Sequence, residues 1–254
     1  MHRLLVSAAL LFTPLSTPSA HTTAGARATA PDAVQFKTGD GQTLSASFYK
    51  PASRSPGVIL VHDAGADHSQ LDAVADRLSK QGFGVLTLDL RGHGANKSGA
   101  LDWSKLSDGD KQTTWSYAQR DLDAAADWLG TQPNIHTTSL ALVAYGAGCA
   151  LAVRHAKNDE NVVCMVLLAP KPKDYGFDVK ADIETLAGLP TCVVAAKDDP
   201  ADKMAKEANA SSGSPFVETF YYTPPKVTSP LEDKALPNRM SKWVAEKAMP
   251  KKGK

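Results

Sequence analysis

Five short apolar runs, each separated from the next by a stretch of helical character, constrain the fold of this chain more than any other feature. Gly57 to His62, Gly84 to Leu90, Leu140 to Ala144, Val162 to Ala169 and Thr191 to Ala196 are dominated by valine, leucine, isoleucine and alanine. A strand with one wet face alternates apolar and polar residues, whereas a run that is apolar throughout needs cover on both sides. Helices are expected in the gaps: Ser69 to Gln81, capped by Ser69 and ended by Gly82, then Thr114 to Leu129, Ile183 to Leu186, Ala201 to Asn209 and Glu232 to Met249. Two opening strands, Ala33 to Lys37 and Thr43 to Lys50, are joined by the turn Thr38-Gly39-Asp40-Gly41, and Phe216 to Tyr222 supplies the last strand. The fold class is therefore α/β, with a mostly parallel eight-stranded sheet and helices on both faces.

The length, 254 residues, suits one such domain, spanning residues 29–254. Hydrophobic residues at 43% and charged residues at 22% are those of an ordinary folded domain. A net charge of +1 gives no reason to expect nucleic acid as a partner. Residues 1–28 read as a signal peptide: His2 and Arg3, an apolar run from Leu4 to Phe12, then small residues and proline. That run is too short to span a bilayer, so the expected destination is a periplasm or the medium, with no membrane span. Three cysteines, Cys149, Cys164 and Cys192, all fall in expected core elements and read as small buried hydrophobes.

The third apolar strand turns sharply into a helix at Ala144-Tyr145-Gly146-Ala147-Gly148, with glycine at the centre of the turn. Two further landmarks follow the preceding strands: His62-Asp63-Ala64-Gly65 and Asp89-Leu90-Arg91-Gly92-His93-Gly94. In order and spacing the three resemble α/β-hydrolases of the serine esterase and serine aminopeptidase type, over roughly Ala33 to Ala248. In that family the turn is the nucleophile elbow, and its central serine attacks an ester or amide carbonyl. Here Gly146 stands at the nucleophile position.

The resemblance assigns the remaining positions. The backbone N–H groups of Ala64 and Ala147 would form the oxyanion hole. Asp199 would stand at the acid position, although an aspartate before Pro200 equally suits a helix cap. Lys226 aligns with the base, and no histidine follows His155. His93 reads as structural and Tyr145 as packing. A triad without its serine and histidine retains only the modest acceleration that the oxyanion hole and binding provide. The reading is therefore a secreted, non-catalytic pseudo-hydrolase that binds a small molecule or protein, with a working hydrolase of unrecognised nucleophile and base as the alternative. His62, Asp63 and His68 lack a dedicated metal spacing, so neither a metal nor a cofactor is expected. The insertion Ala95 to Thr113, which contains Trp103, should overhang the sheet edge where the site would lie.

Overall fold

The computed structural model describes residues 30–222 and 229–249. The expected leader and Lys226 lie outside the described residues. Eight strands form one sheet: β1 (Asp32–Lys37), β2 (Thr43–Tyr49), β3 (Ser55–Val61), β4 (Gly84–Leu88), β5 (Ile135–Tyr145), β6 (Val162–Leu168), β9 (Thr191–Ala196) and β10 (Val217–Tyr222). Their order is β1-β2-β4-β3-β5-β6-β9-β10. The pairs β1–β2 and β2–β4 are antiparallel, and every pair from β4 to β10 is parallel. A second, two-stranded hairpin joins β7 (Lys173–Asp174) to β8 (Phe177–Asp178).

Seven helices are described: α1 (Asp72–Lys80), α2 (Asp108–Tyr117), α3 (Gln119–Gly130), α4 (Gly148–Ala156), α5 (Val179–Glu184), α6 (Pro200–Ser212) and α7 (Leu236–Ala248). The two-residue period of the strands divides the core between the sheet's faces. Val58, Leu60, Val85, Ala141, Val143, Val166 and Val194 point to the side covered by Leu71, Leu78, Leu236, Met240 and Trp243, from α1, α7 and the turn before α1. Ile59, Val61, Leu142, Ala144, Met165, Leu167 and Val193 point the other way, against Leu122, Leu129, Leu151, Ile183, Met204 and Ala208 of α3 to α6. This double cover is why the strands carry apolar residues without alternation.

Several expected boundaries shift for local reasons. A 3₁₀ turn, His68–Leu71, precedes α1, and Asp67 rather than Ser69 is its cap: Ser69 donates both its N–H and its hydroxyl to Asp67 Oδ1. The expected helix from Thr114 to Leu129 divides at Ala118 into α2 and α3, and α2 starts earlier because Ser107 caps it by accepting from Asp110 N at 3.2 Å. The expected Ile183 to Leu186 helix begins at Val179, where Asp178 accepts from Ala181 N. In the last segment a 3₁₀ turn, Pro230–Glu232, precedes α7. All three cysteines are buried free thiols.

Candidate functional site

The strand ends of β3, β4 and β5 bring the three sequence landmarks to one edge of the sheet. β5 runs straight into the turn at Gly146, which has φ +56, and α4 begins two residues later. Such a positive φ strains any side-chain-bearing residue and is free for glycine. The turn is fastened to β6 by Gly146 N, which donates to Leu168 O at 2.9 Å. Gly148 lets the helix approach β3 closely, since a Cβ there would lie 2.9 Å from Val61 O.

The two amides expected as oxyanion donors do converge on a single point, and a side chain of the chain itself stands there. Asp63 Oδ1 accepts from Ala64 N at 2.8 Å and from Ala147 N at 2.7 Å. A Cβ built on Gly146 would fall on top of the Asp63 carboxylate. Asp63 thus occupies both the point on which the two amides converge and the volume that a side chain on residue 146 would need. The residue is itself held fast: its N–H donates to Gln70 Oε1 at 2.9 Å and its carbonyl accepts from His62 Nδ1 at 2.7 Å. Sequence reasoning placed Asp63 near the strand ends without this role. The available signal was a carboxylate beside one expected donor, opposite a glycine in the elbow.

His62 and His93 have both ring nitrogens committed. Leu90 N donates to His62 Nε2 at 3.0 Å, so Nδ1 carries the proton given to Asp63 O. Gly65 N donates to His93 Nε2 at 3.0 Å, and His93 Nδ1 donates to Arg91 O at 2.9 Å. Burial keeps both imidazoles neutral: it lowers His62, and with the neighbouring His62 it pushes His93 down to about 4. These rings are struts between the loops after β3 and β4, with no free nitrogen to accept a proton from a nucleophile. His93 is structural, as its position implied.

Other candidates divide in the same way. His155, on α4, lies 2.8 Å from Asp123 and 3.3 Å from Asp159, and Cys149 directs its thiol to the carbonyls of Ala144 and Leu168. Burial raises the Cys149 thiol well above its ordinary value, so it has no thiolate character. Both Asp199 oxygens are taken by backbone: Oδ1 accepts from Asp202 N and Oδ2 from Ala196 N, the geometry of a cap on α6. Among the described residues no serine, threonine or cysteine side chain hydrogen-bonds a histidine. Tyr145 hydroxyl meets Ser229 Oγ at 3.1 Å.

The metal constellation weighed from sequence, His62, Asp63 and His68, does not assemble, because His62 is buried in the strut and Asp63 faces the elbow. Asp67, His68 and Asp89 come together instead, with donor atoms within 4.8 Å of one another. His68 Nδ1 and backbone N both meet Asp89 Oδ1, at 2.9 and 2.8 Å, and Ala95 N donates to Oδ2 at 2.7 Å. Burial tends to raise the Asp89 carboxyl, but these N–H donors outweigh it and hold it below the usual carboxylate range. The Asp67 carboxylate is engaged in capping through Ser69, so it is His68 and Asp89 that brace the two loops.

The insertion after β4 does lie over the site. Trp103 stacks on His93 at 4.7 Å between centroids and meets Trp115 and Tyr175 at 5.4 Å each, and its Nε1 would sit 3.4 Å from a Cβ on Gly65. The aromatic layer roofs the loop that carries Ala64.

A mostly parallel eight-stranded sheet, covered on both faces and turning sharply into a helix after β5, defines an α/β-hydrolase scaffold. The chain belongs to the alpha/beta hydrolase family, whose family model matches residues 58–248. It is 26% identical over 157 residues, 61% of this chain and 49% of the relative, to a polyketide transferase of Stachybotrys chlorohalonatus. It is 28% identical over 146 residues to a thiohydrolase of Arthrinium phaeospermum, covering 57% of this chain and 45% of that protein. The matched region thus spans about half the length of these curated relatives. Among solved structures, an esterase of Pyrococcus furiosus superposes with a TM-score of 0.67 at 17% identity, covering 87% of this chain and 91% of the esterase. Among the described residues no helix is long and apolar enough to cross a membrane.

Proposed function

We propose that this protein is a non-catalytic member of the alpha/beta hydrolase family, exported by its N-terminal leader and acting by binding a small molecule or a protein. The single observation that carries the reading is the state of the elbow: residue 146 is glycine, and Asp63 fills the space in front of it while accepting from Ala64 and Ala147. A carbonyl approaching this point finds no attacking oxygen and meets a carboxylate where its own developing charge would be stabilised. The His62 and His93 imidazoles support the same reading, because burial and two committed nitrogens leave neither able to act as a base.

The test uses the full chain, purified from the exported fraction with its mature N-terminus read by mass. It is exposed to a fluorophosphonate probe and a panel of short-chain p-nitrophenyl esters and thioesters, the latter because one relative is named a thiohydrolase. The expected outcome is no labelling and no turnover above that of a heat-treated control. Stoichiometric labelling of any serine or cysteine, or turnover that tracks the protein through purification, would establish a working hydrolase instead.

A further inference from the structure

Asp63 and Gly146 come from loops after different strands, yet each explains the other. The Ala147 amide lies at the N-terminus of α4, where unpaired N–H groups and the helix dipole favour an anion. Together with Ala64 N it gives two donors to one oxygen, at 2.7 and 2.8 Å, the short distances of charge-assisted bonds. The volume that this carboxylate fills is the volume a side chain on residue 146 would need. Neither partner can step aside, because Gly146 N is bonded to Leu168 O and the Asp63 backbone is bonded on both sides, to Gln70 and His62.

We propose that the Ala64 and Ala147 amides form an intact anion site whose resident ligand is the chain's own Asp63 carboxylate, and that Gly146 and Asp63 are a reciprocal pair in which each is tolerated only with the other. The external ligand class of the site is the one Asp63 imitates, a small carboxylate. It is excluded from the native protein because an identical group, tethered at high effective concentration, is already bound. The proposal deepens the reading of residues 144 to 148 as an elbow that has given up its reaction. It is tested by binding and stability rather than turnover, so its failure and the failure of that reading are distinguishable.

The experiment has two arms. In the first, the amide signals of Ala64 and Ala147 are followed by ¹⁵N-resolved NMR while sodium acetate is titrated into wild type, Asp63→Gly and Asp63→Asn. Saturable shifts at both amides are expected in Asp63→Gly, with affinity at least tenfold weaker or undetectable in wild type. Asp63→Asn, which keeps a carbonyl oxygen in place, should behave as wild type. In the second arm, the loss of Tm caused by Gly146→Ala is measured in the wild-type and Asp63→Gly backgrounds. The positive φ is common to both and cancels, so the loss should be at least twofold larger where Asp63 is present. If Asp63→Gly does not fold, Asp63→Ala carries both arms. Absence of acetate-dependent shifts once the side chain is removed, equal shifts in wild type, or equal Tm losses in the two backgrounds would each overturn the proposal.

Discussion

The loops after β3 and β4 and the loops after β5 and β9 meet at the same edge of the sheet, and their polar groups do different things. In the first pair almost every polar atom is tied down: His62 and His93 bridge the loops, Asp89 collects three N–H donors, and Arg91 lies between Asp40 and Asp121. In the second pair residue 146 is a glycine at positive φ and Asp199 caps a helix. The first pair of loops is saturated with side-chain hydrogen bonds, while the second offers a glycine and a helix cap. A buried polar network cannot be dismantled piecemeal, because each lost partner strands another group in a low dielectric. Gly146 is buried as well, but it carries no polar side chain, so no hydrogen-bond partner is stranded there.

That contrast is most exposed at Arg91. Its side chain is 6% exposed and that of Asp121 fully buried, with Arg91 Nη2 to Asp121 Oδ1 at 2.6 Å. Asp121→Ala should lower unfolding stability by about 3 to 5 kcal/mol, the usual cost of stranding a buried charge. Denaturant unfolding at neutral pH checks this, and a loss under 1 kcal/mol would mean that the framework is not what the fold depends on.

Acid should act on the same pair of loops. His93 is held neutral down to about 4 in the folded chain, whereas in the unfolded chain it titrates near its ordinary 6.5. Between these values the unfolded state takes up a proton that the folded state refuses. The stability contribution is therefore complete above pH 6.5 and declines as the pH falls toward 4, by about 3 kcal/mol for this group. Burial of His62 acts in the same direction. Urea midpoints measured from pH 7 to pH 4.5 should fall, and His93→Gln should flatten that slope; an unchanged slope would assign the pH dependence elsewhere.

At the other end of the scale, Asp199→Ala removes only a cap. A loss of about 1 kcal/mol is expected from the two backbone donors it releases, with no change in probe labelling. If the substitution instead altered reactivity toward the fluorophosphonate, Asp199 would be an acid in use and the contrast between the loops would fail.

Much of this was legible in the sequence because it depends on short-range rules. Runs such as Val58-Ile59-Leu60-Val61 declare a strand buried on both faces, and the turn at Gly146 declares a sharp strand-to-helix reversal. The less legible parts depend on competition between local hydrogen bonds. Asp67, not Ser69, won the cap before α1, and Ala118 interrupted what the apolar period presented as one helix, because capping and turn geometry are decided by a few donors and acceptors rather than by pattern. His62, Asp63 and His68 diverge for a similar reason: the side chains of His68, His62 and Asp63 are turned toward partners 21, 28 and 84 positions away.

The sequence by itself determined the doubly covered parallel sheet, the order of its landmarks and the glycine at residue 146, since each follows from residue type and spacing along the chain. Only the tertiary structure decided what fills the place in front of that glycine. Asp63 and Ala147 are 84 positions apart, and no local rule brings a carboxylate to a particular amide across that distance. Packing β3 beside β5 does so, because it sets the ends of both strands side by side and brings the Asp63 oxygen within hydrogen-bond reach of the buried Ala147 amide as well as of its own neighbour Ala64.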